Sequence, residues 1–119
     1  MARAVVLANG VPPTVDAVRR AIGRATLFVC ADGGANTARE FRVKPAAIIG
    51  DLDSATAETL AHFRGVLQIR DTDTERTDTE KAIDYALAQG SFEEITLLGA
   101  STGRLDHVLG HVGDRKSVV

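Results

Sequence analysis

Compact apolar runs recur along the chain, most of them ending at glycine, asparagine or aspartate and followed by apolar residues at helical spacing. Residues 3–8 form the first run and stop at Asn9-Gly10, which predicts a strand and a turn. Thr14 is a good N-cap for Val15, Val18, Ala21 and Ile22, which return at helical spacing up to Gly23. Residues 26–31 predict a second buried strand, residues 35–41 a helix, and residues 46–50 a third strand. A helix over 57–64 and a short strand over 66–69 follow. Thr77 and Glu80 form a capping box ahead of Ala82, Ile83, Tyr85, Ala86 and Leu87, and Gly90 stops that helix. Residues 94–98 predict a fifth strand, 99–103 a small-residue loop and 105–112 the start of a last amphipathic helix. The strands are continuous apolar runs rather than alternating ones, as in a parallel sheet covered on both faces. The expected architecture is three-layer α/β: a Rossmann-like open parallel sheet with helices on either side.

Composition narrows the function classes. A chain of 119 residues is at most one domain, and 45% hydrophobic with 25% charged residues is ordinary for a globular protein. The net charge of −2 and an aromatic content of only four Phe and one Tyr, with no Trp, argue against a nucleic-acid partner. No apolar run approaches the roughly 20 residues of a membrane helix, so no membrane partner is expected. The apolar stretch near the N-terminus is too short for a signal peptide and runs into Asn9-Gly10-Val11-Pro12-Pro13, a turn rather than a cleavage site. Cys30 has no internal partner and lies inside an apolar run, which reads as a small buried hydrophobe in a reducing compartment, the cytoplasm.

In open α/β sheets ligands bind outside the carboxyl ends of the strands. Four such ends here carry polar clusters: Asp32-Gly33-Gly34, Asp51 with Asp53, Asp71 and Asp73 leading to Asp78, and Arg104 with Asp106 and His107. Asp51 and Asp53 alternate, so an extended backbone puts both carboxylates on one face. With Asp78 they form the candidate metal group, of the hard-oxygen kind that holds magnesium together with substrate phosphates. For the same residues a solvated turn, with Ser54 capping the next helix, stays open, as does a simple helix-dipole role for Asp78. Asp71 and Asp73 read as a solvated loop that is able to join the cluster. The glycines after Asp32 would let backbone N–H groups near Asn36 approach a phosphate, or would only make a tight turn. Lys81 and Arg104 are candidate phosphate cations. The carboxylates, glycine loops and cations together point to Mg-dependent phosphoryl chemistry.

Asp32-Gly-Gly-Ala-Asn, Gly50-Asp-Leu-Asp-Ser, Thr77-Asp-Thr-Glu-Lys-Ala and Gly103-Arg-Leu-Asp-His occur in the order and approximate spacing of the thiamine pyrophosphokinases (thiamine diphosphokinases), which the chain resembles. Thr102 stands where that family often has a second glycine. The resemblance implies transfer of pyrophosphate from ATP to the hydroxyl of thiamine, giving thiamine diphosphate and AMP. It implies Mg²⁺ held by the catalytic residues Asp51, Asp53 and Asp78. It further implies substrate contacts from Asp32, Gly33, Gly34, Asn36, Ser54, Thr77, Lys81, Arg104, Asp106 and His107. It also implies a homodimer in which thiamine lies between this domain and a β-sandwich of the other subunit. Residues 1–113 are then expected to be a catalytic domain without its closing elements or its sandwich, and 114–119 a non-native tail. Two other readings stand beside it: an inactive Mg-nucleotide-binding fragment, and a phosphatase of the haloacid dehalogenase type. In the latter the aspartate pair should follow the first strand.

Overall fold

The computed structural model describes residues 2–11, 13–99 and 116–118. Strands β1 (Arg3–Leu7), β2 (Leu27–Ala31), β3 (Ala47–Gly50), β4 (Leu67–Arg70), β5 (Glu94–Leu98) and β6 (Lys116–Val118) form one sheet in the order β4-β3-β2-β1-β5-β6. Every pairing is parallel. Between them run α1 (Val15–Gly23), α2 (Gly34–Glu40), α3 (Ala57–His62) and α4 (Asp78–Gln89). The expected elements thus form within a residue or two of their predicted ends. The exception is β6, whose three residues offer no period to read. The expected helix over 105–112 lies outside the described residues, as do Arg104, Asp106 and His107.

The continuous apolar runs are explained by two cores, one on each face of the sheet. On one face Ala4, Val6, Val29, Ile49 and Leu97 pack with Ala82, Ile83 and Ala86 of α4. On the other, Val5, Leu7, Cys30, Ile48 and Leu98 pack with Val18 of α1, Ala35 and Ala38 of α2, and Phe63 and Val66 at the end of α3. Residues 4–7 of β1 alternate between the two cores, so all four are apolar. Burying a leucine such as Leu7 or Leu97 contributes about 1.5–3 kcal/mol relative to exposure. Cys30 is fully buried, as its apolar setting predicts, and burial pushes its thiol pKa far above the ordinary range. Among the described residues no helix is long and apolar enough to cross a membrane.

Caps fix the helix starts. Thr14 Oγ1 accepts the N–H of Ala17, and Thr77 and Glu80 form the reciprocal capping box at α4. The helix after the Asp51–Asp53 turn is capped by Thr56, whose Oγ1 accepts the N–H of Thr59. The Ser54 cap is therefore corrected: the chain needs two more residues to leave the turn before α3 begins.

Candidate active site

The pairing of Ala31 with Ile49 sets the ends of β2 and β3 side by side, so Asp32 lies next to Gly50. Asp32 takes a left-handed backbone (φ 41°), which aspartate tolerates better than most residues, and it is 1% exposed. Its Oδ1 accepts the backbone N–H groups of Ala55 at 3.0 Å and Ser54 at 3.3 Å, and its Oδ2 accepts Ser54 again at 3.2 Å. Asn36, one turn into α2, donates to the Ser54 carbonyl at 3.0 Å and accepts the Thr56 N–H at 3.1 Å. The first two motifs are thereby stitched together: the aspartate and asparagine of one hold the backbone of the other.

At the end of β3 the backbone departs from expectation. Gly50 has φ 145° and Leu52 has φ 63°, so the segment is turned rather than extended. The same-face argument for Asp51 and Asp53 is corrected accordingly. Instead, Asp53 donates its N–H back to Asp51 Oδ1 at 3.2 Å, while Leu52 packs into the core below. Ser54 Oγ donates to Asp53 Oδ1 at 3.3 Å.

Asp78 reaches the same place from the first turn of α4. Its Oδ1 accepts the N–H of Asp51 at 3.3 Å, and its charge is favoured by the positive end of a twelve-residue helix. One carboxylate oxygen each from Asp32, Asp51 and Asp78 lies within 4.8 Å of the others, the arrangement that suits a small divalent cation. Gly50 makes the approach possible: a Cβ there would stand 3.0 Å from Asp32 Cβ and 3.0 Å from Asp78 Cγ and Oδ1.

The electrostatics record how crowded the group is. Burial pushes the Asp32 pKa up to about 7, Asp51 and Asp53 add to the rise, and the Ala55 and Ser54 N–H groups oppose it. Asp51 is held below the ordinary carboxylate range, first by the Asp53 side chain and backbone N–H, then by Asp32. Lys81 supplies the internal counter-charge. It is 4% exposed, its Nζ donates to the Asp71 carbonyl at 2.7 Å, and it pairs with Asp78 Oδ1 at 3.4 Å. Its ammonium is directed at the acidic group from behind, one turn from Asp78, rather than outward as a free phosphate cation.

Other expected site residues prove to serve the frame. A Cβ on Gly34 would lie 2.0 Å from the Leu7 carbonyl oxygen, and one on Gly33 would lie 2.4 Å from the Asn9 side chain. The backbone therefore demands a glycine at 34, while at 33 the Asn9 side chain would have to move aside. Thr77 is occupied as the cap of α4. Asp71 and Asp73 do not join the cluster; with Asp84 they grip Arg76, at 2.7, 3.0 and 2.6 Å. Sequence reasoning did not find that clamp, nor the place of Asp32 in the carboxylate group. The signal for Asp32 was present: it and Asp51 each follow directly on a buried strand.

Residues 18–115 match the model of the family described as thiamin pyrophosphokinase, catalytic domain. Thiamine pyrophosphokinase 1 of Oryza sativa subsp. japonica is 34% identical over 112 residues, covering 75% of this chain and 42% of the relative. Thiamine pyrophosphokinase of Bacillus subtilis (strain 168) is 29% identical over 90 residues, covering 73% and 42%. Among solved structures, thiamin pyrophosphokinase from Geobacillus thermodenitrificans superposes with a TM-score of 0.72 at 28% identity, covering all of this chain and 59% of that one. The Candida albicans enzyme superposes at 0.71 and 19% identity, covering 92% and 51%, a likeness of fold. The chain thus spans 42% of the length of these curated relatives. With its motifs in order, its sheet superposed and most of its length matched, the chain belongs to the thiamin pyrophosphokinase catalytic-domain family.

Proposed function

We propose that this chain is the nucleotide-holding catalytic part of a cytoplasmic thiamine diphosphokinase, which transfers pyrophosphate from ATP to the hydroxyl of thiamine. The observation that carries the reading is the meeting of Asp32, Asp51 and Asp78 at the carboxyl ends of β2 and β3 and the start of α4. These are hard oxygen donors of the kind Mg²⁺ takes, close enough together to share one cation, with Asp53 beside them in the same turn. The bound ion would neutralise the ATP phosphates and the charge that builds on them during transfer. The thiamine hydroxyl oxygen forms a bond to the β-phosphorus while a nearby aspartate carboxylate takes its proton. The bond from that phosphorus to the α,β-bridging oxygen breaks, and AMP leaves with the electron pair. The protein's own work is positioning. Asp32 and Asn36 hold the 53–56 turn, Gly50 lets the carboxylates close, and Lys81 limits their mutual repulsion. By family resemblance, Arg104, Asp106 and His107 would contact the nucleotide, and a second subunit would complete the thiamine site in a homodimer.

The phosphatase reading is not favoured, since Asp51 and Asp53 follow the third strand of the chain rather than the first. The test is AMP release from ATP with Mg²⁺, with and without thiamine. Thiamine-dependent AMP is the expected result. Retained Mg-nucleotide binding with no AMP would replace the kinase with a binding role.

A further inference from the structure

A second cleft lies at the opposite end of the sheet from the carboxylates. Helices α2 and α3 each start beside the carboxyl end of the preceding strand and run back along the sheet, so their C-terminal ends meet at its far side. The cleft between them has a volume of about 630 Å³, within the roughly 300–1,000 Å³ of small-molecule sites. Its floor is apolar, made by Val43, Phe63 and Val66, the last two buried. Arg39, Arg42, Lys44 and His62 line its walls, and none of the described lining residues is acidic.

Ordinary structural duties account for only part of this set: Arg39 and His62 stand in the last turns of α2 and α3, where a cation suits the helix dipole, and Arg42 and Lys44 lie beyond them. Side chains of this kind commonly answer the carbonyls at a helix C-terminus. At α2 that task falls to Arg19 from α1, whose Nη2 donates to the Phe41 carbonyl at 3.0 Å. Arg39 has only a long contact, 3.7 Å, with the well-exposed Glu58. Among the described residues Arg42 and Lys44 make no side-chain hydrogen bond or ion pair. Arg42 also carries a left-handed backbone (φ 59°) just past the end of α2, a place where glycine is the cheaper residue. Glycine would serve that backbone position with less strain, and the arginine that stands there lines the cleft.

We propose that this cleft is a second ligand site, for a small organic phosphate. The dianionic head meets Arg42, Lys44 and Arg39, since a guanidinium grips phosphate oxygens through paired N–H donors. The apolar body lies on Phe63, Val66 and Val43. A bare anion would use the walls and not the floor.

The experiment titrates the chain with phenyl phosphate, following amide resonances, with EDTA present so that no metal recruits phosphate to the acidic group. The expected result is movement of resonances from residues 39–44 and 62–66, and binding at least fivefold tighter than that of inorganic phosphate. Arg42→Gly removes a cation at a backbone position glycine prefers, so it should fold and should weaken binding at least tenfold. Lys44→Ala should weaken it in the same direction. Equal affinity for phenyl phosphate and inorganic phosphate would overturn the proposal. So would affinity unchanged in both folded variants. Neither result bears on AMP release, so the proposal stands or fails apart from the kinase reading.

Discussion

Asp78 Oδ1 accepts the backbone N–H of Asp51 at 3.3 Å, joining two residues 27 positions apart. This contact fixes the start of α4 against the end of β3. One carboxylate thereby orders the backbone that carries another, and both keep an oxygen for a cation. Asp78→Asn should retain the acceptor for Asp51 and lose a negative ligand. Mg-dependent ATP binding measured by calorimetry should therefore weaken at least tenfold in Asp78→Asn and in Asp51→Asn, with an unchanged far-ultraviolet circular dichroism spectrum. Unchanged ATP affinity in both would remove the metal assignment.

Asp32 sets a pH dependence. Its folded pKa of about 7 lies above that of an unfolded aspartate, near 3.8. Between those values the folded chain binds more protons than the unfolded one, so metal-free stability falls as pH rises through the window. Asp32→Asn keeps Oδ1 as acceptor for Ala55 and Ser54, gives up the second contact of Ser54 with Oδ2, and carries no charge. Its metal-free melting temperature at pH 8 should exceed the wild-type value by roughly 4–8 °C, while Mg²⁺ should stabilise it less. A lower melting temperature at pH 8 than wild type would contradict the crowding of charge at this site.

Gly50→Ala places a methyl group against Asp32 Cβ and Asp78 Oδ1 at a backbone angle that L-residues avoid. The expected cost is roughly 2–4 kcal/mol from backbone strain and overpacking together, read as a shift in the urea midpoint. A shift below about 0.5 kcal/mol would mean that α4 slides away easily.

Arg76 touches Asp71, Asp73 and Asp84. The Asp73 and Asp84 carboxylates hold its pKa high, and the Glu75 N–H and Arg76 hold Asp73 low. Arg76→Ala leaves three carboxylates facing one another beside the acidic group. Because salt screens repulsion, raising NaCl should raise the melting temperature of the variant more than that of the wild type. Parallel salt responses would show that the clamp carries little energy, as many exposed ion pairs do.

The layers of the fold were legible because apolar runs and caps are local signals. Thr77 with Glu80 announced α4, and the unbroken apolar runs of β2 and β3 announced two covered faces. The site was legible by motif and less so by geometry. Asp51 and Asp53 were expected on one extended face, yet Leu52 turns left-handed as its side chain enters the core, a choice made by packing below it. Lys81 was expected as a phosphate cation one turn into α4, not as a buried lysine. Its burial depends on β4 delivering the Asp71 carbonyl, which no helical periodicity encodes. Glycines 33 and 34 suited a phosphate loop by composition, while the Leu7 carbonyl that presses on Gly34 belongs to a strand 27 residues earlier.

The strand order bears on how the chain is made. β1 sits inside the sheet, with β2 on one side and β5 on the other. Synthesis delivers β2, β3, β4 and α4 before β5, so Asp32, Asp51 and Asp78 can assemble while one edge of β1 is still bare. Until residue 98 emerges, Ala4, Val6 and Leu7 lie along an unpaired edge open to wrong partners. The nascent chain is thus most exposed to misassembly after its carboxylates have met and before its central strand is closed.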